Sequence, residues 1–118
     1  MKIIACIAVA TISLGNQAFA QRQGISRGAG VVGCGEYLAD RAEPTHQYTD
    51  GQYASWTMGY LSAYNVATKH PQLSTIPDSD TTLAYLDKFC RNNPLGYVIG
   101  GVNCLIGDLG GWKPDYCK

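Results

Sequence analysis

Four of the five cysteines in this chain stand at positions 34, 90, 104 and 117, separated by 56, 14 and 13 residues, with no C-x-x-C or similar close pair among them. A structural zinc site needs such close pairs, so the spacing points instead to two disulfides and to an oxidising compartment. A chain stapled twice over about a hundred residues is confined to a small, compact domain.

The fifth cysteine, Cys6, belongs to a different kind of segment. Lys2 gives a positive start, Ile3 to Gly15 carries no charge, and Ala18-Phe19-Ala20 places small residues at −3 and −1 of a cleavage site after Ala20. The uncharged run of about 13 residues is too short to span a bilayer, which takes about 20. Residues 1–20 therefore read as a signal peptide that carries Cys6 away, and the mature protein as exported. Of the 118 residues 98 remain, with eight Lys+Arg against nine Asp+Glu, or −1. Neither that balance nor any basic run offers a field for nucleic acid or an anionic membrane surface, and the length suits one domain.

Residues 21–33 carry Gly24, Gly28, Gly30 and Gly33 with little periodicity and are expected as a flexible leader before a single helical domain, 34–118. Gly28-Ala29-Gly30-Val31-Val32-Gly33 spells the dinucleotide fingerprint, but that motif works after a buried strand and at the start of a helix. Here it follows a polar leader, so no nucleotide or other cofactor is expected.

The helical domain reads as all-α, with about four helices. Cys34, Tyr37, Leu38 and Arg41 share one face of a first helix limited by Pro44. Thr49-Asp50-Gly51-Gln52 has the form of a capping box for a second, which Pro71 stops after Lys69 and His70. The 18 residues between Asp50 and Lys69 hold no charge, so this helix must be largely covered. Tyr53, Trp56, Tyr60 and Tyr64 form an aromatic stripe, which is either core or a surface for clients or partners. Ser55, Gly59 and Ser62 form a small-residue face that a second neighbour is expected to approach closely.

Asp78 or Ser79 is expected to cap a third helix over Thr81 to Asn92, with Leu83, Leu86, Phe89 and Cys90 on one face. Asn93 followed by Pro94 reads as the start of a fourth, with a stripe of Leu95, Val98, Ile99, Val102, Leu105, Ile106 and Leu109 that Gly110-Gly111 ends. Gly96, Gly100, Gly101 and Gly107 weaken this helix by about 0.5–1 kcal/mol each relative to Ala, so packing must supply its helicity.

Four cysteines allow three pairings. If the third and fourth helices form an antiparallel hairpin at Asn92-Asn93-Pro94, Cys104 sits roughly 15 Å up the fourth helix from a turn beside Cys90. Disulfides need Cα atoms within about 7 Å, which removes Cys90–Cys104 and with it Cys34–Cys117. Of the two pairings left, Cys34–Cys90 with Cys104–Cys117 is favoured, because the second bridge closes the short tail Trp112–Lys118 onto its own helix.

Three elements together, Cys34-Gly35-Glu36-Tyr37-Leu38, Trp56-Thr57-Met58-Gly59-Tyr60-Leu61 and Phe89-Cys90-Arg91-Asn92-Asn93-Pro94, resemble the HdeA/HdeB family of small periplasmic acid-stress chaperones. The resemblance spans roughly Cys34 to Leu109; Cys104, Cys117 and the tail are additional or outside it. It implies a helical fold, a Cys34–Cys90 bridge, and a homodimer that opens at low pH to expose apolar surface to unfolding periplasmic proteins. The same outline also resembles periplasmic immunity proteins that block amidase toxins, which implies one cognate protein partner.

An acid response is physically accessible. Protonating nine carboxylates and both His46 and His70 takes the mature side chains from −1 to +10, and self-repulsion then opposes compactness. Glu36, Asp40, Asp87 and Asp108 are the expected pH sensors, provided that they are paired when folded. Catalysis is not expected. Glu36 with Asp40, and Asp78-Ser79-Asp80, read as a solvated face and a cap, and disulfides leave no thiolate for His46 or His70 to activate.

Overall fold

A computed structural model describes residues 27–118; the expected signal peptide and residues 21–26 of the expected leader lie outside the described residues. The architecture is a bundle of four helices, α1 (Cys34–Ala42), α2 (Gln47–Ala67), α3 (Ser79–Asn92) and α4 (Val98–Asp108), preceded by a 3-10 turn at Ala29–Val31. Cys34–Cys90 and Cys104–Cys117 are bridged, with Cα separations of 4.8 and 5.3 Å. Among the described residues no helix is long and apolar enough to cross a membrane.

Each helix buries the face that its spacing marks. Tyr37 and Cys34 of α1, Leu61 of α2, Leu86 and Cys90 of α3, and Val98 and Val102 of α4 are fully buried, and they join in one cluster with Leu83, Leu105 and Ile106. A buried aliphatic side chain of this kind contributes about 1.5–3 kcal/mol. Asp78 caps α3, its Oδ1 accepting from the Thr81 amide at 2.7 Å. At the far end of α4, Gly110 takes φ 92°. The Gly110 and Gly111 amides turn back to the Gly107 and Ile106 carbonyls, a Schellman closure that a glycine at positive φ permits.

Local expectations fail at three helix ends. Thr49 does not cap α2: the helix starts at Gln47, and the Thr49 hydroxyl donates to the His46 carbonyl at 2.8 Å. α2 also stops at Ala67, before Lys69. Asn93 does not open α4. It closes α3, its Nδ2 donating to the Phe89 carbonyl, while Gly33 and Tyr97 bridge across to hold the turn that delays α4 to Val98. Leu95 is thereby left 95% exposed on that turn rather than in the apolar stripe.

Another concerns packing. Ser55, Gly59 and Ser62 are all exposed, and among the described residues nothing approaches Gly59 and α2 has no close neighbour on its small-residue face. The close approach falls on α4, where a Cβ at Gly101 would come within 2.9 Å of both Phe89 and Leu86. The described part of the expected leader, Arg27–Gly33, is a folded cover on α2, with Gly30 buried.

Candidate functional site

Three helices meet at one guanidinium. Arg41, in the last turn of α1, presents Nε and one terminal nitrogen to the two carboxylate oxygens of Asp87 on α3, at 3.0 and 3.1 Å. Its other terminal nitrogen lies 2.6 Å from Asp50 Oδ2 in the first turn of α2. The Tyr37 hydroxyl, one turn back on α1, donates to Asp87 Oδ1 at 2.8 Å, and His46 Nδ1 lies 2.7 Å from Asp50 Oδ2. Arg41, Asp50 and Asp87 side chains are only 17–22% exposed, so each bond works in a partly desolvated setting where charge-assisted pairs are strongest.

Burial alone would push both carboxyls upward. At Asp87 the bonds from Arg41 and Tyr37 outweigh that, and at Asp50 the bonds from Arg41 and His46 do, so both are held below the ordinary aspartate range. Burial, reinforced by the bond to Asp87, pushes the Tyr37 phenol far up, so it stays a donor. Asp50 Oδ1 is buried with no hydrogen-bond partner among the described residues. Asp50 was not among the expected sensors. Its i, i+4 spacing from His46 was the available signal, hidden by reading Asp50 as part of a capping box.

The expected sensors separate into distinct settings. Asp87 is in this junction. Asp40 accepts from the Tyr53 hydroxyl at 2.6 Å, and burial, then that bond, raises the phenol. Asp108 takes the Tyr85 hydroxyl at 2.7 Å and Lys113 Nζ at 2.8 Å, and those two bonds hold it low against burial. Glu36 stands on the rim of a cleft of about 440 Å³ with Asp40, Gln52, Tyr53 and Trp56.

The aromatic stripe of α2 is turned inward. Each polar tip is taken by a different neighbour: Tyr53 by Asp40, Trp56 Nε1 by the Arg27 carbonyl at 2.9 Å, Tyr60 by Asn103 Oδ1 at 3.1 Å, and Tyr64 by the Pro71 carbonyl and the Trp112 amide. Trp56 and Tyr60 stack with centroids 5.1 Å apart. Tyr53 is buried, and the other three are half-buried. In this closed arrangement the stripe is packing surface, covered at Trp56 by the turn at Ala29–Val31.

A different apolar surface lies open at the α3–α4 turn. Leu95, Tyr97 and Tyr116, each more than half exposed, border a groove of about 400 Å³ floored by Phe89 and Ile99. Among the described residues no group of three or more His, Cys, Asp or Glu side chains is placed to hold a metal ion.

The fold and this junction define a class: a small, doubly disulfide-bonded four-helix domain whose helices are tied through carboxylates. Comparison of the chain with protein-family models, characterised proteins and solved structures gives no match.

Proposed function

We propose that this protein is a periplasmic acid-stress chaperone, closed at neutral pH by carboxylate ties between its helices and opened by their protonation to hold unfolding clients. The observation that carries this reading is the Arg41 junction, where α1, α2 and α3 are joined through two aspartates.

The direction of the effect follows from the low folded-state pKa values of Asp87 and Asp50. A carboxylate lowered by folding contributes its full stabilisation above its unfolded pKa, about 4, and loses it as pH falls through the folded value. Acid below about pH 4 therefore withdraws the ties while the mature side chains climb toward +10. The two bridges do not titrate, so the opened chain stays tethered, and an oxidising compartment of the kind a signal peptide would deliver it to preserves them.

The deciding experiment is suppression of aggregation of an unrelated client at pH 2–3, with sedimentation at pH 7 and pH 3 to follow any dimer. Suppression in acid and none at pH 7 is expected; a rigid fold without holding activity at pH 3 overturns the reading. A second reading, an inhibitor or immunity protein for one cognate enzyme, draws on the exposed Leu95, Tyr97 and Tyr116 beside their groove. It predicts a single tight partner at neutral pH that is lost with Leu95→Asp.

A further inference from the structure

The glycine pattern that spells a nucleotide fingerprint has another use here. A Cβ at Gly30 would fall 1.9–2.4 Å from three atoms of the Trp56 ring, and one at Gly28 would fall 3.1–3.2 Å from two more, with Gly28 at φ 86°. The backbone of residues 28–30 therefore lies directly on the indole, and only glycine at position 30 allows it.

The attachment of this segment is lopsided. At its downstream end Val98 N donates to the Val32 carbonyl at 3.0 Å and Cys34 N donates to the Gly96 carbonyl at 2.9 Å. At its upstream end the tie among the described residues is the indole N–H on the Arg27 carbonyl, and that bond is solvent-exposed. Within the strap Ala29 packs against the core, but at Gly28 and Gly30 the cover meets the ring with bare backbone, so it removes little apolar area of its own. An incoming leucine or phenylalanine side chain would bury considerably more against the same ring.

We infer that Arg27–Val31 is a displaceable strap seated on the client site of the chaperone reading, and that an extended apolar segment of an unfolding protein takes its place on Trp56 and Tyr60. The inference rests on that reading and names its binding surface. The strap hinges at Val32–Gly33, where the bridge to Tyr97 anchors it. The cleft already open beside Trp56, lined by Ala29, Val32 and Tyr53 as well as Glu36 and Asp40, gives the incoming segment a place to start. A site that is competent only when the strap is away binds more weakly in proportion to the time it spends covered.

The test uses Gly30→Ala in a Trp112→Phe background, so that Trp56 is the single indole reporter, with circular dichroism to confirm the helices. At pH 7 the Trp56 emission is expected to shift to longer wavelength. Affinity for a labelled, unstructured peptide with a Leu-Phe-Leu core is expected to rise on the order of tenfold, the gain from lifting a cover that is closed about nine-tenths of the time. Adding Trp56→Ala should abolish that gain. Unchanged emission, unchanged peptide affinity, or a gain that survives Trp56→Ala each overturns the inference. If Gly30→Ala does not fold, Gly28→Ala, which strains the strap at its positive φ, is read in the same way. Acid holding by the wild-type protein is scored separately, so a chaperone without a strap and a strap without a chaperone give different results.

Discussion

Tyr37–Asp87–Arg41 and Tyr85–Asp108–Lys113 are built from the same three parts, a phenol and a cation converging on one aspartate, and each stands near a disulfide. They differ in what they join and in how wet they are. The first spans α1 and α3, adds α2 through Asp50, and has side chains about one-fifth exposed. In the second, Tyr85 of α3 meets Asp108 at the end of α4, Lys113 reaches five residues back to the same carboxylate, and Lys113 and Asp108 are nearly half exposed. Exposed pairs contribute about 0–1 kcal/mol, whereas removing one partner of a buried pair costs about 3–5. The same chemistry is therefore a partly buried tie among three helices in one place and an exposed contact between two in the other.

The sharpest way to probe the difference is to remove the staples that accompany each triad. Cys34→Ser with Cys90→Ser opens a 56-residue separation and should cost about 4 kcal/mol in urea unfolding, against about 3 for Cys104→Ser with Cys117→Ser, on loop-entropy arithmetic. A larger loss from the second pair would reverse the ranking of the two regions. Arg41→Ala comes next, leaving Asp87 and Asp50 without their cation, for a loss of roughly 2–3 kcal/mol, less than for a fully buried pair because water reaches the site.

The comparison also has a pH form. Wild-type unfolding free energy should fall as pH drops below about 4 and Asp87 and Asp50 protonate, and Arg41→Ala should flatten that slope, because both aspartates then titrate closer to their unfolded values. A variant curve parallel to wild type would show that the junction does not set the acid response. The smallest effect belongs to Lys113→Ala, under about 1 kcal/mol and fading in high salt; a loss matching that of Arg41→Ala would erase the distinction between the triads.

Much of this fold is legible in the sequence because its signals are local. The faces of α1 and α3 follow from residue spacing, the Asp78 cap from its chemistry, and the cysteine pairing from the reach of a helical hairpin, which removes one of three, together with the shortness of the tail that closes onto α4. The errors gather where a distant residue decides. Asn93 and Pro94 have every feature of a helix start, yet the bridge from Gly33 to Tyr97 spends those residues on a turn. Thr49 looks like a cap until Arg41 and His46 draw Asp50 into the first turn of α2.

At the site, three of the four expected sensors do accept hydrogen bonds from other side chains, but nothing in the chain's order ranks Asp87 above Asp108. That ranking is a matter of burial. Asp50 offers only its i, i+4 spacing from His46, since its main partner is nine residues away on another helix. The Gly28–Gly30 pair reads as looseness in isolation and becomes fit only when Trp56, a quarter of the chain away, lies beneath it.

The bridge pattern has a consequence for biogenesis. Within the helical domain the first cysteine joins the second and the third joins the fourth. Among these four, a chain that emerges amino terminus first meets each correct partner before any wrong one becomes available downstream. Pairing of the four in order of appearance therefore yields the native connectivity with no reshuffling step.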